Sequence, residues 1–350
     1  MELNLTPTDL HTLLVATIKA KQNVMVVGPP GVGKTHIEAQ AAKAAGVQNF
    51  QLFPSIGDPT DAKGFPFVID GCAEFIPFGE LRRVYKAIDE SKDCVLNLED
   101  LGQATMAVQA SYMALMDRLR GKCAIVATTN QRVKAMGVQG LLEPVKSRFH
   151  TIVVLAPNLD DFCNHLIDHG VDLYGLDEEI IIDLVSFLRF RPDLLCTFNP
   201  SLDIVNSSCP RTLIGAGQIA MLRLPSHVEF IAIAGALGAG PGGELQAFRR
   251  MRKELADLDS IIMDPYNAII SEEPSVAWAI CTGLAVRATP QNFSKIHIYA
   301  HKLMEAGLGQ FTALLIRDCM RRNPDIMETL EFKQLAMGKV GNLIMGNLDK

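Results

Sequence analysis

Residues 28–35 read Gly28-Pro29-Pro30-Gly31-Val32-Gly33-Lys34-Thr35, a complete G-x-x-x-x-G-K-[ST] phosphate-binding pattern. The apolar run 23–27 precedes this pattern, and the helix-favouring stretch 36–43 follows it. Strand, loop and helix in this order are the context that the pattern requires. The glycines let successive backbone N–H groups face a phosphate, beside the positive end of the following helix. The stretch therefore predicts a nucleoside triphosphate site at the start of an α/β fold.

The last two residues of the loop carry its side-chain chemistry. Lys34 supplies a positive charge to the β- and γ-phosphates, and the Thr35 hydroxyl is a ligand for Mg²⁺. The predicted nucleotide-contacting residues are the loop and the residue after it, namely Gly28, Pro29, Pro30, Gly31, Val32, Gly33, Lys34, Thr35 and His36.

Composition excludes several other classes of protein. The 350 residues are 48% hydrophobic and 21% charged, an ordinary globular mixture that is long enough for two or three domains. A net charge of −6 gives no overall positive field for nucleic acid or anionic lipid. Residues 1–5 lack the features of a signal peptide, and the eight cysteines are scattered without a C-x-x-C. We expect reduced thiols, a cytoplasmic location and no membrane association.

Short apolar strands alternate with helical stretches over the first half of the chain. This pattern is typical of a parallel sheet covered on both faces. Between the second and third strands, Asp70-Gly71 separates two apolar runs, which predicts a β-hairpin insertion over about 65–78. After Pro157 the pattern becomes helical, and the Gly/Pro run 239–243 is a candidate boundary. The predicted strands are Val24–Val27, Phe50–Phe53, Val95–Leu98, Ala124–Thr128 and Ile152–Leu155, and the predicted helices include 160–169, 177–190, 210–224, 228–239, 244–257 and 293–320.

Two carboxylates end the third predicted strand. In nucleotide-hydrolysing proteins a carboxylate at such a strand end reaches the Mg²⁺ shell. A second, adjacent carboxylate suggests a group that polarises the attacking water. We therefore predict that Glu99 and Asp100 together serve the metal and the attacking water.

Three further polar residues follow strands or begin a helix. Asn130, after the fourth strand, is placed to hold the attacking water or the γ-phosphate, although Asn is also an ordinary turn residue. Arg148, before the fifth strand, is a candidate for stabilising transition-state charge in a neighbouring subunit. Arg211 follows Pro210 at a predicted helix start in the helical half, from which it could fold over the nucleotide.

Together these motifs resemble the AAA+ ATPases, in particular their MoxR-like and dynein-related branch. The likeness spans about residues 20–225 and rests on the order of the elements. These are the loop 28–35, the segment 58–64, the hairpin 65–78, the strand end 99–100, and the motifs 128–130, 147–149 and 210–212.

The resemblance implies a core at 1–156 with a five-stranded parallel sheet in the order 5-1-4-3-2. It further implies a helical lid at 157–240, a helical extension at 241–350, and ATP with Mg²⁺ as cofactors. It makes Asn130 sensor 1, Arg148 the arginine finger in trans and Arg211 sensor 2. The expected assembly is a homo-oligomeric ring, a hexamer, acting on a client protein that in related systems often carries a von Willebrand factor A-type domain.

One pair departs from the family pattern, which usually has Asp-Glu where this chain has Glu99-Asp100. By position in that pattern, the resemblance gives Glu99 the metal role and Asp100 the water-activating role. The Asp100 side chain is one methylene shorter than Glu, so its carboxylate is expected to sit farther from the water, and hydrolysis to be slow or to wait for a partner.

Three functions follow from these observations, and the first is favoured. The leading one is a ring ATPase that remodels a partner protein; the others are a DNA-directed AAA+ ATPase and a nucleotide-binding regulator with weak hydrolysis. The hairpin contains no Lys or Arg but carries Phe65, Phe67, Phe75 and Phe78, which suits binding of protein better than binding of DNA.

The basic cluster Arg249, Arg250, Arg252 and Lys253 is interpreted as a solvated helix face, with nucleic acid or an acidic partner as the alternative. Nucleic acid is therefore not the expected partner.

Overall fold

The computed structural model describes residues 4–130, 140–198, 204–254, 258–271 and 273–337. The chain divides into two compact units. The first is Met1–Asp161 with Phe198–Ile204, and the second is Phe162–Thr197 with Val205–Lys350. The predicted division of the helical half at residue 240 remains a prediction.

The first unit is built on a parallel sheet in the order β1-β8-β2-β7-β6-β3. Its strands are β1 (Asn4–Leu5), β2 (Val24–Val27), β3 (Gln48–Leu52), β6 (Cys94–Leu98), β7 (Ala124–Thr129) and β8 (Thr151–Leu155). The five longer strands follow the expected order 5-1-4-3-2. The expectation of five strands was wrong, because β1 pairs with β8 as a sixth. Two residues are too few to show a strand periodicity in the sequence.

Helices cover both faces of this sheet, which explains its apolar strands. They are α1 (Pro7–Lys19), α2 (Lys34–Ala45), α3 (Pro59–Lys63), α4 (Gly79–Asp89), α5 (Met106–Leu119) and α6 (Glu143–Lys146). On one face, Leu96 and Leu98 of β6 pack with residues of α4 and α5 in a buried cluster. Successive side chains of a strand alternate between faces. Asn97 and Glu99 therefore point to the opposite face, on the side where α2 contacts the sheet.

A two-stranded antiparallel hairpin stands apart from the main sheet. It consists of β4 (Phe65–Ile69) and β5 (Cys72–Ile76), with Ile69 opposite Cys72. Asp70 and Gly71 have φ of 49° and 81°, the positive values that a tight two-residue hairpin turn requires. At the base, Gly64 has φ 95°, and a Cβ there would lie 2.5 Å from the Ile76 carbonyl oxygen.

The second unit is helical and has its own core. Its helices are α7 (Leu159–Tyr174), α8 (Glu178–Phe190), α9 (Pro210–Ala220), α10 (Ser226–Leu237), α11 (Ala239–Glu254), α12 (Leu258–Met263), α13 (Pro274–Val286), α14 (Phe293–Glu305), α15 (Gly309–Arg322) and α16 (Leu330–Met337). The expected single helix over 293–320 is two helices, because Gly307 adopts φ 78° between α14 and α15. Over the described ranges, every helix is too short or too polar to cross a bilayer.

Candidate nucleotide-binding site

Three neighbouring strands bring the predicted site residues of the first unit to one edge of the sheet. β2, β7 and β6 are adjacent and parallel, so their carboxyl ends lie side by side. The loop 28–33 follows β2, Asn130 follows β7, and Glu99 and Asp100 follow β6. This is the edge where parallel α/β sheets bind ligands.

The loop is shaped by glycines and anchored to β7. The Gly28 N–H donates to the Thr129 carbonyl at 3.2 Å. A Cβ on Gly28 would lie 3.1 Å from the Leu155 carbonyl oxygen, so a larger side chain there would press on the β8 backbone. Gly31 and Gly33 have φ of 76° and 93°, and Gly33 is the N-cap of α2. The start of α2 thus lies directly after the loop, as an anion site requires.

The remaining loop residues differ in burial. Pro29 and Pro30 are partly buried, Val32 is buried, and Thr35 is exposed. His36 lies one turn before Gln40, with its Nε2 3.1 Å from the Gln40 amide nitrogen. The phosphate loop thus combines buried and exposed residues. The nucleotide contacts assigned to these residues remain predictions.

Lys34 is tied to the residues that surround the predicted phosphate position. Its Nζ donates to the Gly28 and Pro29 carbonyls at 3.0 and 2.9 Å and to Asn130 Oδ1 at 2.9 Å. Both Lys34 and Asn130 are at least nine-tenths buried. The ammonium and the amide, 96 residues apart in sequence, therefore form one polar unit.

Hydrogen bonds from two threonine hydroxyls to Glu99 connect α2, β6 and β7. The Thr35 and Thr128 hydroxyls both donate to Glu99 Oε2 at 2.9 Å. The Asp100 N–H donates to Thr128 Oγ1 at 2.9 Å, and Asp100 has φ 54°. Asp100 therefore leaves the strand in a left-handed conformation that a hydrogen bond holds, while its carboxylate is only partly buried.

Glu38 adds a carboxylate to this site. It is 1% exposed, and among the described residues no N–H or O–H group donates to either of its carboxyl oxygens, whose polar neighbour is the Glu99 carboxyl group. Burial, followed by repulsion from the neighbouring Glu99 and by hydrogen-bond contact with its carboxyl group, raises the pKa of Glu38 well above its usual value. A cation placed beside Glu38 would favour the ionised form of its carboxyl group.

The residues fit a magnesium ion held together with a nucleotide. Glu99 Oε1 is buried and has no hydrogen-bond partner within the described part of the chain, and the Thr35 hydroxyl is bonded to the same carboxylate. Over those residues, no three His, Cys, Asp or Glu side chains form a cage of their own. Mg²⁺ is commonly bound by one or two carboxylates plus waters and phosphates, so such a cage is not required.

Arg148 lies in the first unit between α6 and β8. Its Nε and Nη2 donate to Asp117 Oδ2 at 3.2 and 2.6 Å, and its Nη1 donates to the Pro144 carbonyl at 2.6 Å. The buried Asn23 amide donates to the Arg148 carbonyl at 3.1 Å. The guanidinium is thus oriented on its own subunit, with its side chain 22% exposed.

Arg211 belongs to the second unit. It occupies the second position of α9, after Pro210, and its side chain is exposed. Its assignment as sensor 2 remains a prediction.

The basic cluster in α11 is largely neutralised within the second unit, which corrects its interpretation as a solvated face. Arg249 is buried and bonds Asp183 at 3.0 Å and Glu229 at 2.5 Å. Arg252 pairs with Asp183 and, at 3.1 Å, with Glu179. Arg250 is exposed, and the Lys253 side chain lies outside the described residues.

Sequence reasoning did not assign Thr128, Glu38 or Asp117 to the site. Thr128 acts through a contact between neighbouring strand ends, which depends on the strand order. The spacing of Glu38 could have indicated its place in the site. It lies three residues after Thr35 and four after Lys34, and residues at these spacings share one side of a helix. No local sequence pattern points to Asp117, because its hydrogen bonds to Arg148 join residues that are 31 positions apart.

Comparison with known proteins identifies the domain that contains this site. The family model "ATPase family associated with various cellular activities (AAA)" matches residues 24–156. No curated protein matches the chain.

Among solved structures, the Thermotoga maritima RuvB Holliday junction branch migration motor is 13% identical. The match covers 86% of this chain and 87% of that one, with a TM-score of 0.37. The replication initiator DnaA bound to AMPPCP and single-stranded DNA is 14% identical, with 97% and 92% covered and a TM-score of 0.37.

The matched region starts at β2 and ends just after β8, so it contains the phosphate loop, the Glu99–Asp100 strand end, Asn130 and Arg148. Residues 24–156 therefore form a AAA ATPase domain, and the protein is an ATPase.

Proposed function

We propose that this protein is a Mg²⁺-dependent, MoxR-like AAA+ ATPase that assembles into a homo-oligomeric ring, a hexamer, and remodels a client protein. The observation that supports a client protein is the exposed apolar surface of the hairpin β4–β5. Its Phe67 and Phe75 side chains are 55% and 57% exposed, and Phe65 packs on Phe78 with ring centroids 5.0 Å apart. Exposed apolar side chains grouped in this way mark an interaction surface.

The nucleotide site supports the hydrolytic part of the proposal. On nucleotide binding, Lys34 would exchange its bonds to loop carbonyls for phosphate oxygens, while Asn130 stays beside it. Thr35 and Glu99 would hold Mg²⁺, which supplies positive charge to the phosphates. Asp100 would accept the proton of the attacking water, and its partial exposure leaves room for that water.

The hydrogen bonds of Arg148 support the proposal that the subunits form a ring. Because Asp117 and Pro144, and not the phosphate loop of the same subunit, accept its hydrogen bonds, a contribution in trans is the simplest role for it. AAA+ proteins generally form oligomers. Arg211 would act as sensor 2 in this scheme, and residues 157–240 and 241–350 would be lid and extension.

The charge distribution supports a protein client over DNA. The hairpin has no basic residue, and Arg249 and Arg252 are already paired with carboxylates. A client with a von Willebrand factor A-type domain, in the cytoplasm, fits the family resemblance.

Stimulation of ATP turnover distinguishes the client classes. We expect an unfolded model protein to raise turnover of the wild type but not of the double variant Phe67→Ser/Phe75→Ser, with basal turnover unchanged in both. Met106→Ser, which removes another exposed apolar side chain of the same unit, is the control and should behave as wild type. Stimulation by single-stranded DNA that falls steeply with salt would instead favour the DNA-directed ATPase.

A further inference from the structure

The unpartnered buried polar atoms of the first unit are concentrated at one place. Among its described residues, buried side-chain oxygens and nitrogens without a hydrogen-bond partner belong to Glu38, Asn97 and Glu99. Buried polar groups are almost always paired, and a buried carboxylate without a partner is costly. Their grouping beside the nucleotide site indicates that something binds there which supplies hydrogen bonds or positive charge.

The backbone brings Glu38 and Glu99 to the same space. Glu38 lies on the side of α2 that carries Thr35, and the Thr35 hydroxyl is bonded to Glu99 Oε2. Glu99 also acts electrostatically on Glu38, as do Lys34 and Asp100. The buried Glu38 and Glu99 carboxyl groups thus lie side by side near Lys34, and oxygen ligands grouped in this way suit a divalent cation.

We propose that Glu38 is an additional magnesium-site residue, which binds water in the hydration shell of the cation held by Thr35 and Glu99. The inference rests on the proposed Mg²⁺-dependent ATPase and names a residue that the motif set does not contain. Mg²⁺ dehydrates reluctantly and keeps several waters, and each of these is a hydrogen-bond donor. Both Glu38 oxygens can accept such bonds, which accounts for their burial beside Glu99 without a hydrogen-bond donor from the protein.

The alternative is that Glu38 is a buried acid with no part in metal binding. The two roles differ in what Glu38→Gln does, because the amide has nearly the same shape but no charge and one acceptor fewer. A metal role predicts weaker binding of the cation. A buried spectator predicts no change.

Binding measurements separate the two roles without using turnover. ADP affinity would be measured by calorimetry in Mg²⁺ and in EDTA, and Mn²⁺ affinity by electron paramagnetic resonance with ADP present. For Glu38→Gln we expect Mn²⁺ affinity to fall about 10-fold or more, as for other residues that orient metal ligands. ADP affinity in EDTA should be unchanged. Glu74→Gln, which removes an exposed carboxylate of the hairpin, is the control and should match the wild type in both.

Each outcome has a defined meaning. Equal Mn²⁺ affinity in wild type and Glu38→Gln overturns the inference while leaving the ATPase proposal intact. Wild-type ADP affinity that is the same in Mg²⁺ and in EDTA would remove the magnesium site itself, and with it both proposals. If Glu38→Gln does not fold, Glu38→Asp replaces it: withdrawing the carboxylate by one methylene should still weaken Mn²⁺ binding, and an unchanged affinity overturns the inference.

Discussion

At the scale of single residues, the order Glu99-Asp100 leads to a prediction about the rate of hydrolysis. Asp100 has a left-handed backbone conformation, and its N–H donates to Thr128 Oγ1. We expect Asp100→Asn to lower ATP turnover about 100-fold or more, since it would remove the proposed general base. Nucleotide affinity should persist, because Lys34 and the loop are untouched. Asp100→Glu should raise turnover above wild type; an unchanged rate in Asp100→Asn would refute the assignment.

The Asp117–Arg148 ion pair makes a pH-dependent prediction at the same scale. The hydrogen bond from Arg148 holds the pKa of Asp117 below its ordinary value. A carboxylate with a depressed folded-state pKa stabilises the protein above its unfolded-state pKa. That contribution is lost as the pH falls through the folded-state value. Urea titrations of wild type and Asp117→Asn should therefore differ by a small, constant amount near neutral pH and converge below about pH 4. A difference that is larger in acid would contradict the pairing.

At the scale of elements, the sequence predicted the parts of the core that follow from local pattern. Buried strands read as apolar runs, so the five longer strands and their motif-bearing ends were recognisable from the order of residues alone. The two-residue β1 was missed because it is defined by its pairing with β8, which its own sequence does not show. The break at Gly307 was missed because it depends on the positive φ of one residue within a helical pattern. Thr128 was missed for a related reason, since its contacts with Glu99 and Asp100 form only when β7 lies beside β6.

The hairpin β4–β5 depends on the glycine at its base. Gly64 has φ 95°, and a Cβ there would meet the Ile76 carbonyl oxygen at 2.5 Å, so both conformation and space exclude a larger residue. We expect Gly64→Ala to destabilise the hairpin by more than about 1 kcal/mol. Amide hydrogen exchange over residues 65–76 should become faster, and client-stimulated turnover should fall while basal turnover remains. Gly46→Ala is the control: it has a similarly positive φ of 74° but lies at the end of α2 with open space around it. Unaltered exchange in Gly64→Ala would show that the hairpin is held in another way.

At the scale of the whole molecule, an active site shared between subunits predicts complementation. Lys34→Ala removes the loop's phosphate ligand, and Arg148→Ala removes the charge offered to the next subunit, which should cost about 10³-fold in turnover. Each variant alone should be nearly inactive. In an equal mixture, about a quarter of the interfaces in a closed ring pair an intact loop with an intact arginine, so turnover should recover to that order. Light scattering would establish that mixed rings form, and the Arg148→Lys variant, which keeps the charge but not the planar fork, should by itself be nearly as inactive as Arg148→Ala. Mixed rings without recovered turnover, or a fully active monomer, would place Arg148 outside the chemistry and leave each subunit to hydrolyse ATP by itself.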